Sequence, residues 1–201
     1  MRHSVMLSLA GALCLFSAAA PAEMSSANLQ IAEVVQGASE QTLYTRFYDP
    51  AYIKLAYPGG EPPLDRGVCS DVIVRAFRKA GVDLQREIHE DMARNFAAYP
   101  NRWHASRPDS SIDHRRVPNL MTYFTRMGRS LPVSAEAADY APGDVVAWDL
   151  GGGVLHIGLV SDERAPDADR YEIVHNIGAG ARREDVMFAW RIIGHYRYFR
   201  P

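Results

Sequence analysis

Cys69 is the side chain in this sequence best suited to covalent chemistry. A free thiol, with an ordinary pKa of about 8.5, is mostly protonated at neutral pH. A helix N-terminus beside it and an imidazole within reach both favour the thiolate. GVCSDVIVRAFRKAG, residues 67–81, reads as the start of such a helix. Two histidines follow on segments that read as strands: His156 opens HIGLV, and His175 sits inside EIVHNI. A thiol and an imidazole are the minimal set for nucleophilic attack on a carbonyl. Each residue also has a plainer reading. A cysteine is often a small buried hydrophobe, and a strand histidine is often a hydrogen-bonded core residue.

Other polar clusters carry weaker signals. Asp113-His114-Arg115-Arg116 places two arginines where they could grip a carboxylate in bidentate fashion, or simply form a salt-bridge cluster. His89-Glu90-Asp91 raises a metal question. The sequence has no HExxH, no CxxC pair and no aspartate-rich calcium loop, so no metal is expected. It lacks GxGxxG and P-loop motifs as well, so no cofactor is expected.

The elements that must position Cys69 and the histidines can be read from periodicity. Val72, Ile73, Ala76, Phe77 and Ala80 form one apolar stripe, which predicts a helix over 68–80 with Gly81 as its stop. Cys69 falls on the stripe side of the first turn. An amphipathic lead-in over 23–40, a helix over 84–99 and a short helix over 117–127 are also expected. Residues 49–66, with Pro58-Gly59-Gly60 and Pro62-Pro63, read as a turn-rich loop. After Pro142-Gly143 the pattern changes to short branched or aromatic runs at 144–150, 156–162, 171–177 and 192–199. Helices first and antiparallel strands second predict an α+β fold.

At 201 residues, 47% hydrophobic and 23% charged, the chain has the make-up of one globular domain. A formal charge of −2 gives no general attraction to nucleic acid, and none is expected as a partner. Residues 1–22 read as a signal peptide: a basic start, an apolar run and Ala20-Pro21-Ala22 as cleavage site. The expectation is a periplasmic or secreted domain over 23–201, monomeric, with no membrane span once the signal is removed. Cleavage removes Cys14 and leaves Cys69 without a disulfide partner in an oxidising compartment. A lone thiol there is best explained if it is buried or used.

Five blocks in order resemble the NlpC-type cysteine peptidases, bacterial cell-wall hydrolases of the papain-like superfamily. They are Tyr57-Pro58-Gly59-Gly60, Cys69-Ser70 with its helix ending in Lys79-Ala80-Gly81, Pro142-Gly143-Asp144-Val145-Val146, His156-Ile157-Gly158-Leu159-Val160 and Val174-His175-Asn176. The resemblance covers about residues 55–180. It departs from the family pattern at Val68 and Asp71, which flank Cys69-Ser70, and in the long interval 70–130 before the histidine strand. The whole chain more closely resembles a bacterial exported family catalogued as domain of unknown function 1287, through DRGVCSDV, HEDM, DHRRVPNL and PGDVVAWDL.

The resemblance implies a papain-like single domain, its nucleophile helix packed on a C-terminal antiparallel sheet. It implies a cysteine-dependent hydrolase of amide bonds in peptidoglycan. Cys69 would be the nucleophile and His156 its ion-pair partner. His175 would orient His156, with Asn176 as the alternative third residue on the other face of the strand. Tyr57 and the Cys69 backbone N–H would bind the oxyanion, unless Tyr57 is only a packed loop tyrosine. Arg115 or Arg116 would meet carboxylates of a stem peptide. Two alternatives stand beside this: a catalytically inactive cell-wall-binding module, and a thiol acyltransferase on the same fold.

Overall fold

The computed structural model describes residues 25–200. The signal-peptide expectation for residues 1–22 lies outside the described residues. Four helices are present: α1 (Ser26–Tyr44), α2 (Cys69–Lys79), α3 (Leu84–Asn95) and α4 (Val117–Arg126). Two short strands, β1 (Phe47–Tyr48) and β2 (Arg66–Gly67), pair in parallel just before α2. The C-terminal half forms β3 (Val145–Asp149), β4 (Leu155–Arg164), β5 (Tyr171–Asn176), β6 (Ala181–Glu184) and β7 (Arg191–Tyr196). These make a five-stranded antiparallel sheet in the order β6-β5-β4-β3-β7. The fold is therefore α+β, as the change of periodicity after Pro142 predicts. No helix among the described residues is long and apolar enough to cross a membrane.

Strand alternation divides the core into two layers. Val145, Ala147, Ile157, Leu159 and Val174 face the helices and join Val72, Ile73, Ala76 and Phe77 of α2. Val146, Trp148, Val160 and Ile173 face the other way, onto Tyr140 and Met187. That second layer is covered by irregular chain, not helices: Trp148 Nε1 donates to the Met187 carbonyl at 2.9 Å. The sheet is thus buried on both faces, and β3 reads as a continuous apolar run for that reason.

α2 is clasped between α1 and the sheet. Gly37 permits the close approach of α1: a Cβ there would lie 3.0 Å from Lys79 Cβ and 3.1 Å from Ala76 Cα. The start of α2 is set by Asp71. Val68, at the N-cap, has no side-chain acceptor, so Asp71 Oδ2 reaches back to accept the Val68 N–H at 2.7 Å. Asp144 of the Pro-Gly-Asp block is fully buried and ties the opposite edge, meeting His195 Nε2 at 2.8 Å and accepting from Arg197 Nη2 at 2.7 Å.

Candidate active site

Cys69 is the first residue of α2 and is buried. The backbone N–H of Ile157 on β4 is close enough to favour charge on its sulfur. Burial pushes the thiol up to about 11; the Ile157 N–H and the first-turn amides pull the other way, and the Asp71 charge adds to the rise. Burial therefore works against the thiolate that the helix start favours. The helix start and its N–H groups are present, but loss of water around the sulfur outweighs them.

The two histidines form a relay. His156 Nε2 lies 2.8 Å from His175 Nδ1, and His175 Nε2 lies 2.9 Å from Glu184 Oε2 at the end of β6. Gly158 makes room for it, since a Cβ there would lie 2.6 Å from Ile173 and 3.2 Å from His175 Cβ. Trp148 stacks on His156 with ring centroids 5.8 Å apart, and Trp190 meets both imidazoles edge-on or tilted. Burial, and then the neighbouring His175, push His156 down to about 3. Burial also lowers His175, against the pull of the Glu184 carboxylate. Both rings are neutral near pH 7.

Cys69 and His156 reach β4 one residue apart but from opposite faces. Ile157 and Leu155 pack on the helix side with Cys69, whereas His156 shares the other face with Trp148. No hydrogen bond joins the sulfur to either imidazole among the described residues. The expected Cys69–His156 ion pair is absent from this structure, because strand alternation turns His156 away from α2. Asn176, the alternative third residue, lies on the helix side and is used structurally. Its Nδ2 donates to the Gly67 and Phe47 carbonyls at 3.0 and 3.3 Å, tying β5 to β2 and β1.

A pocket of about 230 Å³ opens over Cys69. Tyr48, Trp103, Arg102, Arg116 and Leu155 are among its walls. Tyr57 is not. It is exposed, follows a different path in the 49–66 loop, and meets His89 edge-on at 5.1 Å. The oxyanion expectation for Tyr57 is corrected by this placement, and Tyr48 is the tyrosine beside the sulfur. The Tyr48 phenol is raised by burial first and then by the neighbouring Cys69 and Asp71.

The adjacent arginines separate. Arg115 is buried, pairs with Asp71 through Nε at 3.0 Å and Nη2 at 3.0 Å, and donates to the Ala51 and Asp49 carbonyls. All three guanidinium nitrogens are committed, so Arg115 braces the start of α2 and has no free edge for a substrate carboxylate. Ser70 Oγ adds a bond to the Arg115 carbonyl at 2.7 Å. Arg116 instead lies over the Trp103 ring, 4.2 Å from its centroid, and lines the pocket. Asp113 and Asp109 act on it through space, and no salt bridge holds it among the described residues.

Three contributors escaped the sequence reading: Tyr48, Trp103 and Glu184. Tyr48 carries a faint signal, an aromatic pair before Asp49-Pro50. Trp103 sits in a connection without period. Glu184 belongs to ARRE, a strand with almost no apolar signal. No group of three or more His, Cys, Asp or Glu side chains is placed to hold a metal among the described residues.

Residues 35–198 match the family model described as Domain of unknown function (DUF1287). The chain is also 56% identical over 175 residues to the uncharacterized protein YijF of Escherichia coli strain K12, spanning 87% of this chain and 83% of that relative. The chain belongs to the family of domain of unknown function 1287.

Proposed function

We propose that this protein is a cysteine-dependent amide hydrolase acting on peptidoglycan stem peptides, on a papain-like fold of the NlpC type, in the periplasm or outside the cell. The observation that carries the reading is the relay His156–His175–Glu184, which ends one residue along β4 from the backbone N–H that favours charge on the Cys69 sulfur. A buried thiol at a helix start and an imidazole oriented by a second group are the components nucleophilic catalysis uses, here carried by neighbouring positions on either face of β4.

The neutral resting groups favour a general-base route over a standing ion pair. His156 faces away from α2 in the resting structure, so this route requires substrate binding to turn the start of β4 and carry His156 Nδ1 toward the sulfur. The thiol proton passes to that nitrogen as sulfur attacks the amide carbonyl, and the carbonyl π pair moves to oxygen. The Cys69 backbone N–H and the Tyr48 hydroxyl receive this oxyanion. Collapse breaks the C–N bond, and the imidazolium proton goes to the departing amine. Water then attacks the thioester, losing its proton to His156, and the thiol is regenerated with release of the acid. Arg116, held flat by Trp103, meets a carboxylate of the stem peptide in the pocket.

A second reading has its own support. The sulfur is neutral and makes no contact with an imidazole, as in a binding module that keeps the fold without the activity. Digestion of purified peptidoglycan by wild type and Cys69→Ala, with muropeptides identified by mass spectrometry, separates the two. Hydrolysis predicts a product made by wild type alone, and its mass names the bond. Identical profiles favour the binding module.

A further inference from the structure

Glu184 has a consequence for the chemistry of His156 two hydrogen bonds away. At neutral pH its carboxylate has acceptor sites only. The 2.9 Å contact therefore requires a proton on His175 Nε2. A neutral imidazole protonated at Nε2 offers Nδ1 as an acceptor, so the 2.8 Å contact requires a proton on His156 Nε2. His156 Nδ1 is then left as an unprotonated lone pair.

The surroundings support this direction. His156 and His175 are buried, 2% and 1% exposed, and the nitrogens they turn toward each other are 2.8 Å apart, which leaves no room for water between them. Trp148 and Trp190 wall the pair. The Glu184 side chain is 39% exposed and opens on a polar surface pocket with Arg182 and Arg183. Arg183 pairs with Glu172 at 3.0 Å, which leaves the Glu184 carboxylate to His175.

We infer that Glu184 is a positioning residue that sets the tautomers of His175 and His156 in series, leaving Nδ1 of His156 as the bare, basic nitrogen. The inference rests on the hydrolase reading for its use in catalysis, while the tautomers themselves are a property of the resting protein. Removing the carboxylate lets His175 place its proton on Nδ1. That nitrogen then donates to His156 Nε2, the His156 proton moves to Nδ1, and the base is lost.

The test is ¹⁵N NMR of histidine-labelled full-length protein, comparing wild type with Glu184→Ala and Glu184→Gln. In wild type, His156 and His175 both show protonated Nε2 and bare Nδ1. In Glu184→Ala both rings shift toward the opposite tautomer. Glu184→Gln, whose amide oxygen can still accept, retains a larger wild-type fraction. In turnover of peptidoglycan fragments, Glu184→Ala lowers kcat ~10²-fold with KM unchanged. A wild-type His156 that carries its proton on Nδ1, or Glu184→Ala rings identical to wild type, overturns the assignment. A wild type that hydrolyses nothing overturns the hydrolase reading, and the spectra still decide the tautomers.

Discussion

The two faces of the sheet handle polar groups in opposite ways. On the helix face, charge is locked in place. Asp71 and Arg115 neutralise each other beneath the start of α2, both side chains 2% exposed, and the Cys69 thiol sits beside them without an imidazole partner. On the other face, Trp148 and Trp190 flank a pair of neutral imidazoles whose far end meets the part-exposed Glu184. The proposed nucleophile and base thus lie on separate layers that share β4. Burial on its own layer disfavours the charged form of each group. A catalytic dyad resting as an ion pair would need them on one face.

The sharpest break in that comparison comes from Arg115. Arg115→Ala leaves Asp71 buried without its counter-charge, and the expected cost is ~3–5 kcal/mol, read as a lower urea midpoint. Arg116→Ala, one residue along, is expected to cost under ~1 kcal/mol. Equal losses from the two would erase the distinction between brace and pocket cation.

Alkylation of Cys69 by iodoacetamide comes next. With the thiol pushed up to about 11, its rate at pH 7 should be ~10²-fold below that of an ordinary cysteine thiol and should climb steeply toward pH 11. His156→Ala should leave that profile unchanged, because the two faces are uncoupled at rest. A plateau below pH 8.5 would contradict the neutral resting state.

Acid should weaken the fold through its buried neutral histidines. His114 is 1% exposed, neither ring nitrogen has a partner among the described residues, and burial pushes it down to about 4. The unfolded chain takes up a proton near pH 6.5 and the folded one does not, so stability is lost as pH falls from 6.5 toward 4. His156, lowered to about 3, adds to the same window. His114→Phe should reduce the slope of unfolding free energy there by ~1 kcal/mol per pH unit. An unchanged slope would show that His114 is already paired or hydrated.

The smallest effect concerns recognition. Arg116→Gln should raise KM for a carboxylate-bearing stem peptide ~10-fold while kcat holds, since the guanidinium binds without touching the reacting bond. Trp103→Ala should do less, removing the platform but not the charge. A fall in kcat alone would move Arg116 from recognition to chemistry.

Much of the scaffold was legible because periodicity follows burial. The stripe Val72, Ile73, Ala76, Phe77 identifies α2 and puts Cys69 in its first turn. Branched and aromatic runs mark β3, β4, β5 and β7. β6 stayed hidden because Arg182 and Arg183 are exposed and its alternation is nearly all polar. Alternation also places His156 opposite Ile157. It could not say which face α2 would cover, because both faces of this sheet are apolar. Arg115 read as a carboxylate binder or a member of a salt-bridge cluster, and its true partner, Asp71, 44 positions away, is brought to it only by folding. Tyr57 matched a family block in order, yet the loop carries it to His89 and leaves Tyr48 beside the sulfur.

The central claim is that Cys69 breaks an amide bond with His156 as its base. The direct measurement is muropeptide mass spectrometry after digestion of peptidoglycan with wild type, Cys69→Ala and His156→Ala, each first shown to be folded by its thermal transition. The account predicts a new fragment and a new terminal carboxylate from wild type alone, with His156→Ala slower by ~10²–10⁴-fold and Cys69→Ala inactive. The same products in the same amounts from wild type and Cys69→Ala would contradict it.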